Sequence, residues 1–175
     1  MCRRACLRNL KLTLQYDGTE LAGWQRQKTG DSVQGLLEDA LSRIDGAHVT
    51  VHGAGRTDAG VHAMAYVASA EIQTAHDPAT IARALNAQLP PAVRVTGIEE
   101  APPDFHARFS ARGKTYRYLT IESDIASPFL WRYAHRVPGP LDPLPAAQEG
   151  ALMSSHGLPV RLRDRRRGLG RLHPR

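Results

Sequence analysis

Nine residues, Gly55-Arg56-Thr57-Asp58-Ala59-Gly60-Val61-His62-Ala63, place one carboxylate between two glycines with a guanidinium two positions upstream. Glycines allow a tight turn and a close approach of a bulky ligand to the backbone. If residues 56–58 are extended, Arg56 and Asp58 project to the same face, because side chains alternate along a strand. An arginine fixed there keeps the carboxylate ionised, as a nucleophile requires. An isolated Asp-Ala-Gly reads more readily as a hairpin loop with an Asx-type turn and an incidental ion pair.

The run does not stand alone. Ahead of it lie Tyr16-Asp17-Gly18-Thr19, Gly23-Trp24-Gln25-Arg26-Gln27 and Ser32-Val33-Gln34. Behind it lie Asn86-Ala87-Gln88-Leu89-Pro90, then Asp104-Phe105-His106-Ala107-Arg108-Phe109-Ser110-Ala111, then Lys114-Thr115-Tyr116-Arg117-Tyr118. In this order and spacing, over about residues 10–135, the series resembles the TruA family of tRNA pseudouridine synthases. The resemblance implies that Asp58 is the catalytic aspartate, which attacks the uridine during isomerisation. It implies that Arg56 helps to hold the target nucleotide out of its stack and that Tyr116 packs against the target base. It also implies that the polar loop with Asp17, Trp24, Gln25 and Arg26 contacts the tRNA. A tRNA substrate, target uridines in the anticodon stem–loop and a homodimer follow from the same resemblance.

The chemistry so implied breaks the bond from ribose to N1 and rejoins the same base through C5. No redox step or group donor is needed, so no cofactor is expected. The base must leave its stack to be reached. Asp58 attacks either the C1′ of the sugar or the uracil ring; the sequence leaves both open. A second nearby carboxylate, which glycosidase-type hydrolysis uses, is missing.

The elements that must position these residues are legible from periodicity. Leu10, Leu12, Leu14 and Tyr16 alternate with Lys11, Thr13 and Gln15 as a half-buried strand. Ser32 caps a helix with an apolar stripe of Val33, Leu36, Leu37, Ala40, Leu41 and Ile44, and Gly46 stops it. Residues 49–52 read as a short strand into the Asp58 run and residues 64–71 as a strand out of it. Asp77-Pro78 opens a second helix with Ile81 and Leu85 on its core face, ended by Pro90-Pro91. Val93 to Ile98 read as a fourth strand. Strand, helix, strand, strand, helix, strand is the ferredoxin-like pattern, an α+β fold with an antiparallel sheet covered by helices on one face. Asp58 then sits in a loop on a rigid sheet.

After Pro102-Pro103 the pattern restarts. Phe105, Ala107 and Phe109 alternate as a strand would, and residues 115–121 read as another, with Tyr116 and Tyr118 on one face. These are expected to begin a second, similar domain. The expected organisation is an extension over 1–9, the ferredoxin-like domain over 10–103, a partial second domain over 104–156 and an Arg-rich tail over 157–175.

Composition bounds the alternatives. The chain has 175 residues, enough for one domain plus part of another, and 42% hydrophobic residues suit a packed core. No stretch reaches the length of a membrane span and no apolar signal core opens the chain, so a cytoplasmic location is expected. Cys2 and Cys6 make no disulfide framework, and His48, His52 and His62 show no zinc spacing, so no metal is expected. The net charge of +6 comes from residues 161–175, with seven arginines and one aspartate; the other 160 residues carry 16 basic and 16 acidic side chains. Within the body, Arg108, Arg112, Lys114 and Arg117 lie in a stretch without acidic residues from 105 to 121, which suits phosphate contacts.

Beyond about residue 150 the resemblance stops. Ser154-Ser155-His156 give way to Gly157-Leu158-Pro159-Val160 and an arginine-rich stretch with no periodicity, expected to be disordered. A frame shift or truncation near residue 150 is expected; translating the DNA in its other frames tests it, and neither frame continuing the family pattern would refute it. The resemblance implies an active-site cleft between two such sheets; on that expectation its far wall is missing and turnover is weak or absent. The rivals to an enzyme are a non-catalytic RNA-binding module like the RNA-recognition motif, although only 6% of the chain is aromatic, and a fragment without function.

Overall fold

A computed structural model describes residues 7–125 and 127–137. The first strand, β1 (Arg8–Tyr16), buries Leu10, Leu12 and Leu14 completely and leaves Tyr16 only 4% exposed. It forms the centre of a four-stranded sheet with β2 (Val51–Gly53), β3 (Ala63–Ile72) and β4 (Val93–Ala101), in the order β2-β3-β1-β4. Every pairing is antiparallel. Two helices, α1 (Val33–Asp45) and α2 (Pro78–Gln88), pack Val33, Leu37, Leu41, Ile81 and Leu85 onto the leucines of β1 in one core. This is the α+β, ferredoxin-like arrangement expected from the periodicity, with both helices on one face.

The helix ends follow local chemistry. Ser32 Oγ accepts from the Gly35 N–H at 3.2 Å, and Gly46 ends α1 in the left-handed region (φ 75°) that side chains avoid. The Asp77 carboxylate accepts from Thr80 N–H at 3.0 Å and Pro78 takes the first turn of α2. Thr80 holds that carboxylate below the usual aspartate range.

β2 is shorter than the expected 49–52. The Val49 N–H donates to Ser42 Oγ and the Val51 N–H to the buried Glu38 carboxylate, so α1 takes donors that a longer ladder would use. Glu38 also accepts from Gln34 and from Arg26, at 3.1 and 3.2 Å, which satisfies a carboxylate that burial would otherwise penalise.

Two strand expectations fail. Residues 105–110 form turns, closed by Phe105 N–H to Pro102 O at 2.9 Å and Ser110 N–H to His106 O at 2.8 Å. The turns dock on the first sheet: Asn9 Nδ2 donates to the carbonyls of Pro102 and Phe105, and the Ala107 N–H to Ser69 Oγ. Only Ala107 of the alternating set is fully buried, and Phe109 is 79% exposed. The alternation is therefore a property of composition rather than of two faces of a strand.

The chain divides into one unit ending at Arg112 and a second starting at Gly113. In the second, residues 115–119 join no ladder, and β5 (Thr120–Glu122) pairs with β6 (His135–Val137) in parallel. Tyr116 and Tyr118 thus share no strand face. No helix among the described residues is long and apolar enough to cross a membrane. Cys2, Cys6, Ser154, Ser155, His156 and the tail over 157–175 lie outside the described residues.

Candidate active site

The Asp58 run occupies the connection between β2 and β3, as expected. Three aromatic residues carry it from below. Tyr16 ends β1, Tyr66 lies in β3, and Trp24 stacks on Tyr66 with ring centroids 4.3 Å apart. Tyr16 meets Tyr66 edge to face at 5.7 Å. Each ring fixes the loop through one polar atom. The Tyr66 hydroxyl donates to the Gly55 carbonyl, the Tyr16 hydroxyl shares a hydrogen bond with Thr57 Oγ1 at 2.9 Å, and the Trp24 backbone N–H donates to the Thr57 carbonyl at 2.9 Å. Burial raises both tyrosines above the ordinary tyrosine pKa, so their hydroxyls stay protonated at neutral pH.

The loop is clasped from a second side by residues 17–23. The Gly60 N–H donates to Leu21 O at 3.4 Å, and the Val61 N–H closes the turn onto Asp58 O at 3.2 Å. His62 Nδ1 stands 3.1 Å from Gly18 N and 3.0 Å from Asp17 Oδ1. A neutral imidazole accepts from Gly18 there, and a protonated one donates to Asp17, so either form ties the loop to residues 17–18. Gly23 adopts φ +94° with its Cα against the loop: a Cβ there would lie 2.5 Å from Thr57 O and 3.0 Å from the Asp58 carbonyl carbon. A Cβ on Gly18 would collide with the Val61 carbonyl.

Asp58 itself is exposed, and so is Arg56. They make no ion pair: among the described residues no salt bridge within 4.0 Å includes either side chain. The loop backbone, not a neighbouring guanidinium, sets where the carboxylate stands. What this arrangement offers is an acid in solvent reach on a backbone pinned at residues 55, 57, 60, 61 and 62.

The residues expected at the RNA surface are placed unevenly. Trp24 is 3% exposed and spends its ring on Tyr66, so it supports the loop and presents no face to a nucleic acid. Arg26 pairs with Glu38 at 3.2 Å and Asp39 at 2.9 Å, which neutralises much of its charge against α1. Asp17 accepts from the Thr19 N–H at 3.0 Å, shaping its own turn. Gln25, Arg108 and Arg112 are exposed in the first unit, and Lys114 and Tyr116 are exposed in the second, Tyr116 by 49%. Reasoning from sequence missed Tyr66 altogether and placed Tyr16 correctly at the end of a strand, but not its bond to the loop. The available signal was Gly18 and Gly23 beside the aromatic positions, since small residues there mark backbone packed on backbone.

A family model described as tRNA pseudouridine synthase matches residues 13–110. Over 136 residues the chain is 43% identical to the tRNA pseudouridine synthase A of Solibacter usitatus, covering 78% of this chain and 57% of that protein. It is 53% identical over 111 residues to the protein of that name in Solidesulfovibrio magneticus, covering 62% and 40%. For the one in Akkermansia muciniphila the identity is 48% over 122 residues, covering 69% and 46%. The chain thus spans about half the length of the curated relatives it matches.

Proposed function

Because this chain belongs to the tRNA pseudouridine synthase family, we propose that it isomerises uridine to pseudouridine in tRNA with Asp58 as the nucleophile. The observation that carries this reading is an exposed carboxylate on a loop fixed from both sides, by Tyr16, Trp24 and Tyr66 and by residues 18–23. A nucleophile must approach its target within near-contact distance, and a pinned backbone supplies that position before the substrate arrives.

In the reaction the glycosidic C1′–N1 bond breaks, the uracil turns, and a C1′–C5 bond forms. N1 gains a proton and C5 loses one, so the product is an isomer and no co-reactant is consumed. Asp58 holds the fragments in register by bonding covalently to the sugar or to the ring, and is released as the new bond forms. Arg56, solvent-exposed and unpaired among the described residues, interacts with the nucleotide once it has left its stack. Tyr116 offers a half-exposed ring to a base, and Arg108, Arg112 and Lys114 meet phosphates. The substrate uridines lie in the anticodon stem–loop, and the enzyme works in the cytoplasm as a homodimer.

A second reading is RNA binding with little turnover. One experiment separates the two. The purified chain is incubated with unmodified tRNA, and the nucleosides released by digestion are separated and counted. Pseudouridine above that of untreated tRNA, at whatever rate, supports the enzyme. Retention of tRNA with no pseudouridine supports the binding module.

A further inference from the structure

The face of the sheet opposite the helices carries a column of rings that the Asp58 loop does not use. His52, exposed in β2, lies 4.8 Å from His106 between centroids, and His106 lies 4.5 Å from Phe109. The tilts are 31° and 36°, so the three rings are loosely stacked. Phe109 ends the column 79% exposed, with the Arg108 guanidinium 6.0 Å from its ring centre.

The column is built rather than incidental. The Ala107 N–H is bonded to Ser69 Oγ in a buried contact, and Ala107 is 2% exposed, so the backbone between the rings is anchored to β3. The Arg108 N–H donates to His106 Nδ1 at 3.1 Å, and the His106 N–H donates to Ser110 Oγ at 3.1 Å. These bonds fix the His106 ring and put the proton of its neutral form on Nε2. A large apolar ring held in solvent by such a frame is no part of the core.

The geometry points to a second RNA contact: the His52–His106–Phe109 column, edged by Arg108, stacks on an unpaired base of the RNA that the Asp58 loop acts upon. It rests on the reading of this chain as acting on tRNA. Stacking on exposed aromatic rings beside arginines is how single strands are held without regard to sequence. Charge agrees: no acidic residue occurs from 105 to 121, and Arg112 follows the column. His52 and His106 also line a hollow of about 450 Å³ with Asp45, Glu71 and Asp104, whose charge repels a phosphate, so the base is placed at the Phe109 end of the column beside Arg108. His52 precedes Asp58 by six residues, so their Cα atoms are at most about 20 Å apart.

The test measures binding of a fluorescently labelled oligouridylate to the full chain by anisotropy, alongside pseudouridine formation on tRNA. Phe109→Ala is expected to weaken oligouridylate binding about tenfold or more, and Phe109→Trp to retain it. Arg108→Ala weakens it and flattens its salt dependence. Thermal melting of each variant checks the fold, which an exposed ring leaves unchanged. If Phe109→Ala binds as tightly as wild type, if Phe109→Trp fails as badly as Phe109→Ala, or if wild type does not bind oligouridylate, the column is not an RNA contact. A Phe109-dependent chain that makes no pseudouridine leaves the column standing and removes the enzyme; turnover without Phe109 dependence does the reverse.

Discussion

Tyr16 Oη and Thr57 Oγ1 stand 2.9 Å apart, joining the last residue of β1 to the residue directly before Asp58. Tyr16 is 4% exposed, so this bond lies at the edge of the core and passes the rigidity of the central strand to the loop. Removing the hydroxyl with Tyr16→Phe keeps the ring on Tyr66 and deletes only the bond. The expected loss is about 1 kcal/mol of stability. Thr57→Val removes the same bond from the other side, so the double variant should lose less than the sum of the two. Denaturant unfolding of the four proteins measures this; strict additivity would show that the bond contributes nothing.

Gly23→Ala tests the clasp without touching the carboxylate. It forces φ +94° on a residue with a side chain and drives its Cβ to 2.5 Å from Thr57 O. Backbone strain of this kind costs on the order of 1–3 kcal/mol, and the loop must move to relieve it. Pseudouridine formation should fall at least as far as stability does, while Gly46→Ala, with open space around its Cβ, should destabilise without selectively reducing activity. Equal activity in the Gly23 variant and wild type would mean that the clasp does not position Asp58.

The buried tyrosines make stability sensitive to alkali. Their folded pKa values lie above the ordinary value of 10.0 because burial disfavours the phenolate. Above pH 10 the unfolded chain therefore gives up these protons more readily than the folded one, and stability falls as pH rises. Below that point the contribution is complete. Thermal melting across pH 8 to 11.5 should show a decline that is shallower in Tyr16→Phe; identical slopes would remove Tyr16 from the effect.

The Asp77 cap tests a region remote from the chemistry. Asp77→Ala removes the acceptor for Thr80 N–H and the Thr80 hydroxyl, at 3.0 and 2.7 Å, and should destabilise α2 measurably. The lowered pKa of Asp77 means that wild type loses this contribution as pH falls through the carboxylate range, so the two proteins should converge in acid. A gap that persists at pH 2 would point to another cause.

Much of the first unit was legible because its elements repeat simple physics. The alternating leucines of β1, the Ser32 and Asp77 caps and the Gly46 stop each carry their own local signal. The site was legible as far as its loop. It was not legible that Trp24 would be buried, because a tryptophan among Gln25, Arg26 and Gln27 sits in polar sequence yet packs on Tyr66, forty-two positions away. The Arg56–Asp58 pairing failed for a related reason: spacing sets a common face, but five backbone anchors decide where each side chain goes. The false strand at 105–110 shows the reverse error, since alternation also arises in turns that dock one residue, Ala107, and expose the next aromatic.

The central claim is that the Asp58 carboxylate performs the attack. Isomerisation expels the proton from C5 of uridine, so tRNA carrying tritium at C5 releases label to water only when the reaction runs. Asp58→Asn preserves size and removes the charge and nucleophilicity. Wild-type chain should release tritium while the Asn variant releases none above background and still binds the tRNA. Release by Asp58→Asn at the wild-type rate would contradict the account.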